Sequence, residues 1–139
     1  MTTHNINPDA ALASRLRASG ITPTQRRLHI GQFLFSKLRH LSADQVFDQV
    51  NRNSERVSQA TVYNTLSLFV EKGLLHQIVV DPSKVFYDTN PSKHHHFYHV
   101  DTGILEDIPN NQIEINNLPE LPSDTLFGGV NIVIQLQKA

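Results

Sequence analysis

The sequence predicts an α+β fold in two parts, a helical first half that closes in a β-hairpin and a smaller, β-rich second half. Three observations lead there. Helix start and stop signals recur four times before residue 74 and then cease. After that point β-branched and aromatic residues gather in short runs separated by Pro and Gly turns. Charge divides in the same way: nine Lys/Arg stand against five Asp/Glu in residues 1–80, and three against eight in residues 81–139. A chain of net charge −1 thus joins a basic part to an acidic one, and the basic part has the footprint of a nucleic-acid-binding module.

Composition narrows the classes. A length of 139 residues allows one or two small domains, and 39% hydrophobic with 18% charged residues suits a folded chain. No apolar run is long enough to cross a bilayer, and the polar N-terminus has no signal-peptide pattern, so no membrane partner and a cytoplasmic location are expected. The absence of cysteine excludes disulfides and thiolate zinc sites. Any metal must be held by His, Asp or Glu.

Taken in order, residues 8–19 read as a helix with Leu12 and Leu16 on one face and Arg15 and Arg17 beside them, stopped by Gly20. A second helix is expected to open with Thr22 as N-cap, Pro23 at N1 and Gln25 at N3, and to run through Arg26 and Arg27 to about residue 37. The third opens on a Ser42-x-x-Gln45 capping box and buries Val46, Phe47 and Val50. The fourth is capped by Ser58 and followed by Gly73. On it Val62, Leu66, Phe69 and Val70 share one stripe, while Ala60, Tyr63, Asn64 and Ser67 fall opposite. That outer face carries no acid before Glu71, only small or hydrogen-bonding side chains, as a helix entering a major groove requires. Strands at 74–80 and 85–88 flank the turn Asp81-Pro82-Ser83-Lys84. Three helices followed by a hairpin is the order of a winged helix-turn-helix, with residues 58–72 as its reading helix.

The second half centres on residues 93–99, which hold four of the eight histidines. Strand alternation puts His94 and His96 on one face and His95 on the other. With Thr102-Gly103 as a two-residue hairpin loop between strands 95–101 and 104–108, Asp101 pairs with Ile104 and Tyr98 with Asp107. Asp107 then joins the His94/His96 face, though a one-residue slip would remove it. A His-x-His pair with a carboxylate is a candidate metal-ligand set. Residues 118–129, with two prolines and two glycines, read as a loop, and 130–136 as a strand. His4, His29, His76 and His99 read as surface or packing residues. Nothing supplies the further base or substrate pocket of a hydrolase or oxygenase, so an enzyme is not expected.

The stretches GITPTQRR (20–27), HLSAD (40–44), ATVYNTL (60–66), FYDTN (86–90), HHHFY (94–98) and VNIVI (130–134) together resemble the ferric uptake regulator family, most nearly its iron response regulator branch. The resemblance implies a winged-helix DNA-binding domain in residues 1–88, a hinge at about 88–93, and a small α/β dimerisation and sensing domain in residues 94–139. It implies a homodimer, with higher oligomers allowed, that regulates transcription in iron homeostasis from an A/T-rich inverted-repeat operator in double-stranded DNA. Tyr63 would contact bases, with Asn64 beside it where many members carry Arg. Arg17 would lie near the minor groove, and Arg26, Arg27 and Thr61 would position phosphates. His40 and Asp88 would join His94, His96 and Asp107 in a site that bridges the two domains, three histidines and two carboxylates suited to Fe²⁺, Mn²⁺ or Zn²⁺. The run His94-His95-His96 is also similar to a haem-responsive motif, which makes these residues and Glu114 candidates for haem or a second ion. The family's structural zinc site, built from two pairs of cysteines, is absent: His99 and Thr102 replace the first pair and the second is missing. The alternative is a regulator of the same family that senses a metal or peroxide directly, without haem.

Overall fold

The computed structural model describes residues 8–52 and 56–139. The chain falls into two compact units that divide between Pro91 and Ser92. His4 lies outside the described residues.

The first unit begins with helix α1, Pro8–Ala18. Gly20 ends it at φ +79°, a left-handed conformation glycine adopts without strain, while the Ile21 N–H returns to the Leu16 carbonyl at 2.9 Å. Helix α2, Gln25–Phe35, starts later than expected because Thr24, not Thr22, is its N-cap. The Thr24 hydroxyl accepts the Arg27 N–H at 3.3 Å, and the Thr22 carbonyl instead receives the Arg27 guanidinium at 2.9 Å. The cap at Thr24 leaves Pro23 in the extended approach rather than inside the first turn. The helix also stops at Phe35 rather than near residue 37. Within it, Gly31 lets α1 approach closely: a Cβ there would lie 2.9 Å from a Leu12 methyl.

Helix α3, Ala43–Val50, opens on the full capping box, with Ser42 Oγ accepting from Gln45 N and Gln45 Oε1 accepting from Ser42 N. Asn51 follows it. Its amide donates to the carbonyls of Phe47 (2.9 Å) and Val57 (3.1 Å), and its oxygen accepts the Val57 N–H at 2.6 Å. Helix α4, Gln59–Glu71, is capped by Ser58 and buries Val62, Thr65, Leu66 and Phe69. The expected apolar stripe is there, with Val70 at its half-buried margin. Residues 74 and 75, expected to begin a strand, instead finish the helix end, since both N–H groups bond to the Phe69 carbonyl.

Strands β2, His76–Asp81, and β3, Lys84–Asp88, form the hairpin. Asp81 closes its turn by accepting the Ser83 hydroxyl (2.7 Å) and N–H (2.8 Å), which hold its carboxyl below the usual carboxylate range. A further strand, His40–Ser42, is not expected from the sequence. It precedes α3 (we label it β1) and pairs antiparallel with β3, giving the order β1-β3-β2. Thr89, 7% exposed, holds the start of this pairing: its hydroxyl accepts the Arg39 N–H, and its N–H reaches the Arg39 carbonyl. One apolar cluster, including the fully buried Leu16, Ile30, Leu34, Val62, Leu66 and Phe69, ties the helices to this sheet.

The second unit is a three-stranded sheet of order β5-β4-β6. Strand β4, His94–His99, pairs antiparallel with β5, Ile104–Pro109, and parallel with β6, Val133–Leu136. A 3₁₀ turn, Asn110–Gln112, follows β5, and residues 113–132 carry neither helix nor strand. The last strand is thus confined to Val133–Leu136 rather than 130–136. The hairpin register also differs from expectation: His99 pairs with Ile104 and His96 with Asp107, so the loop is residues 100–103 rather than Thr102-Gly103 alone. The Gly103 N–H bonds back to the His99 carbonyl at 2.8 Å and closes that longer loop. The difference amounts to two residues, and a shift of two preserves the face on which every side chain lies.

Candidate metal centre and nucleic-acid interface

Because residues directly opposite in an antiparallel pair share a face, the pairing of His96 with Asp107 puts that carboxylate beside both His94 and His96. His94 Nε2 lies 3.4 Å and His96 Nε2 3.3 Å from Asp107 Oδ1. The two imidazoles meet edge-on at 4.5 Å between centroids. Ligand atoms around a small divalent ion at about 2.0–2.2 Å are themselves roughly 3 Å apart, so this spacing fits one ion held by two nitrogens and an oxygen. Second contacts orient the donors. His94 Nδ1 is 2.6 Å from the Ser92 carbonyl, which places the proton on Nδ1 and makes Nε2, on the Asp107 side, the atom that would ligate an ion. Both histidine side chains are nearly buried, at 8% and 6%, whereas Asp107 is 46% exposed. The set is preorganised on its imidazole side and open on its carboxylate side.

His95 points to the opposite face and is 5% exposed. Its Nδ1 accepts the Ile132 N–H at 3.1 Å, while the Ile132 carbonyl accepts the His96 N–H at 3.0 Å. His95 therefore fastens the approach to β6. Glu114 is exposed on the irregular segment after the 3₁₀ turn. Neither belongs to a group of three or more potential ligands among the described residues. His99 pairs with Glu106 at 2.8 Å, His29 Nε2 is bonded to the Val50 carbonyl, and His76 is exposed on β2.

In the first unit, His40 and Asp88 are direct register partners across β1 and β3, so the two residues that the resemblance implies as ligands face each other on one sheet. Asp88 is 1% exposed, and one of its oxygens accepts the Asn90 N–H at 2.8 Å. Sequence reasoning misses the short strand that arranges this pair, since three residues are too few for an alternation signal.

The same unit presents the helix-turn-helix face. Thr24, Arg26, Arg27, Thr61, Asn64 and Thr65 line one open cleft between the N-terminal turns of α2 and α4. Its lining holds two guanidiniums, that of Arg27 bonded to the Thr22 carbonyl, and three hydroxyls, a set of side chains that suits phosphate. Tyr63 and Asn64 are exposed on α4, and Arg17 is exposed on α1. The Tyr63 hydroxyl donates to Asp44 Oδ1 at 2.7 Å, a contact that sequence reading does not find. That bond is the main cause of a raised tyrosine pKa. A pair nineteen residues apart on two helices leaves no periodic trace.

Comparison with known proteins adds a lineage. A family model described as the ferric uptake regulator family matches residues 18–125. A peroxide-responsive repressor, PerR, of Staphylococcus aureus (strain Mu50) is 29% identical over 110 residues, covering 78% of this chain and 74% of the repressor. A structure of the ferric uptake regulator from Pseudomonas aeruginosa with manganese superposes with a TM-score of 0.70 at 26% identity, covering 90% of this chain and 96% of that one. A ferric uptake regulator from Francisella tularensis with iron gives 0.65 at 19% identity over 83% of this chain and 89% of that one, a likeness of fold.

Proposed function

The chain belongs to the ferric uptake regulator family, a family of metal- and peroxide-sensing transcription regulators rather than enzymes, and on that premise we propose that it is a DNA-binding regulator governed by a divalent ion at His94, His96 and Asp107. The observation that carries the reading is the pair of imidazole nitrogens at 3.3 and 3.4 Å from one carboxylate oxygen. His40 and Asp88 complete the ligand set. Five residues separate Asp88 from His94, a span short enough for ligands on both sides of the unit boundary to reach one ion. Bound there, Mn²⁺, Fe²⁺ or Zn²⁺ supplies positive charge and a fixed coordination geometry; the chain's own residues supply orientation, through Ser92 on His94 and the sheet register on Asp107. A relative seen with manganese supports such an ion. Ligands drawn from both units let occupancy set the angle between the two reading helices of a homodimer.

In this reading residues 1–88 bind DNA and residues 94–139 dimerise and sense. α4 enters the major groove of an A/T-rich inverted repeat with Tyr63 and Asn64 toward the bases. Arg26, Arg27 and Thr61 hold phosphates from the cleft, and Arg17 approaches the minor groove. The controlled genes are those of iron homeostasis. A second signal, peroxide acting on an iron-loaded site, is favoured by the likeness to a peroxide-responsive repressor. Haem is the less suited ligand, because His95 is buried with Nδ1 engaged and His94 and His96 converge on Asp107.

A mobility-shift titration of the full chain on operator DNA, with Mn²⁺, Fe²⁺, Fe²⁺ plus peroxide, and haem in parallel, tests these assignments. The ion is expected to be required for the shift, peroxide to release the Fe²⁺ form only, and the His94→Ala/His96→Ala double variant to lose the response. A shift indifferent to metal but abolished by haem would overturn the proposal.

A further inference from the structure

The basic cleft does not account for an acid at the reading face of the first unit. Asp44 lies in the first turn of α3, exposed, and its Oδ1 accepts a hydrogen bond from the Tyr63 hydroxyl at 2.7 Å. A carboxylate beside a surface meant for phosphates repels them, so it weakens general binding. At the N-terminus of α3 it also occupies a place where the helix dipole would otherwise favour a DNA phosphate.

We propose that Asp44 is a positioning residue for base readout, one that fixes the Tyr63 ring on α4 and limits the contacts its hydroxyl can make. This rests on the reading of α4 as the recognition helix. With its proton committed to Asp44, the phenol cannot donate to a base acceptor such as guanine O6 or N7. What remains for DNA is the ring itself and the acceptor side of the phenol oxygen, which suit a thymine methyl or an exocyclic amine of adenine or cytosine. Asp44 thus exchanges general affinity for discrimination: it repels any phosphate, and it makes one base contact selective.

The test uses the full-length, Mn²⁺-loaded protein and duplexes enriched by the wild type from a randomised pool, with scrambled duplexes as competitors. Asp44→Ala is expected to lose about 10-fold of preference at one base step, the size of one base contact. Tyr63→Phe should lose preference at the same step, and the double variant no more than either alone. Asp44→Asn, which still accepts the phenol proton, should keep the preference and bind scrambled duplexes several-fold more tightly; it also guards against a folding defect in the Ala variant. Unchanged preference in Asp44→Ala, or costs that simply add in the double variant, would overturn the proposal while leaving α4 as reader. Unchanged preference in Tyr63→Ala would overturn both.

Discussion

Single residues in this protein are defined by what their second atom touches. His94 is a donor through Nε2 because Nδ1 is held by a carbonyl, and His95 is a fastener because its Nδ1 accepts a backbone N–H. The same accounting of partners identifies Asn51 as the residue that joins α3 to the approach of α4, with three bonds to main-chain groups of Phe47 and Val57. Asn51→Ala would leave those half-buried groups unpaired, and is expected to destabilise the first unit by about 1–3 kcal/mol. Chemical denaturation followed by circular dichroism reads this directly, and a midpoint equal to wild type would refute it. The partners of such residues are non-local, which is why neither Asn51 nor Asp44 stands out in the sequence.

Among the elements, helix starts are legible in the sequence, and one is legible in the wrong place. Thr-Pro-Thr offers two hydroxyl caps for α2. Local rules favour Thr22 because it puts Pro23 at N1, yet the helix begins from Thr24. Substitution separates the two: Thr24→Ala should cost about 1 kcal/mol and Thr22→Ala almost nothing, since the Thr22 group engaged by Arg27 is its carbonyl. Equal melting temperatures for the two variants would contradict this assignment. The β4–β5 hairpin teaches the complementary lesson. Its register differs by two residues from the one the turn residues suggest, but the face of Asp107 survives, because side-chain direction repeats every second residue. The strand β1 is invisible in the sequence for a different reason: it exists through its pairing with β3, and three residues carry no pattern of their own.

For the whole molecule, the two units differ in how much core they own. The first has a continuous buried cluster running from Leu12 to Tyr87. In the second, the buried apolar side chains among the described residues are Tyr98, Leu105 and Ile108, while Leu118, Leu121, Leu126, Phe127 and Ile134 are exposed. So small a core is marginal by itself, and members of this family are dimeric regulators. Unfolding of the second unit should therefore depend on protein concentration, its melting temperature rising several degrees over a hundredfold increase, while that of the first unit stays constant. Calorimetry at two concentrations checks this; transitions that both ignore concentration would count against it.

Periodicity and capping chemistry, which are local, are enough to determine the four helices, the hairpin of the first unit and the shared face of His94 and His96. Resemblance adds the family, which the family model bears out. Tertiary structure alone decides the rest: that Asp107 stands directly opposite His96, that a short strand sets His40 against Asp88, that His95 is committed to Ile132, and that an acid accepts the hydrogen bond of the Tyr63 hydroxyl. Each of those is a contact between residues distant in sequence, and its strength depends on register and burial, quantities that no local pattern encodes.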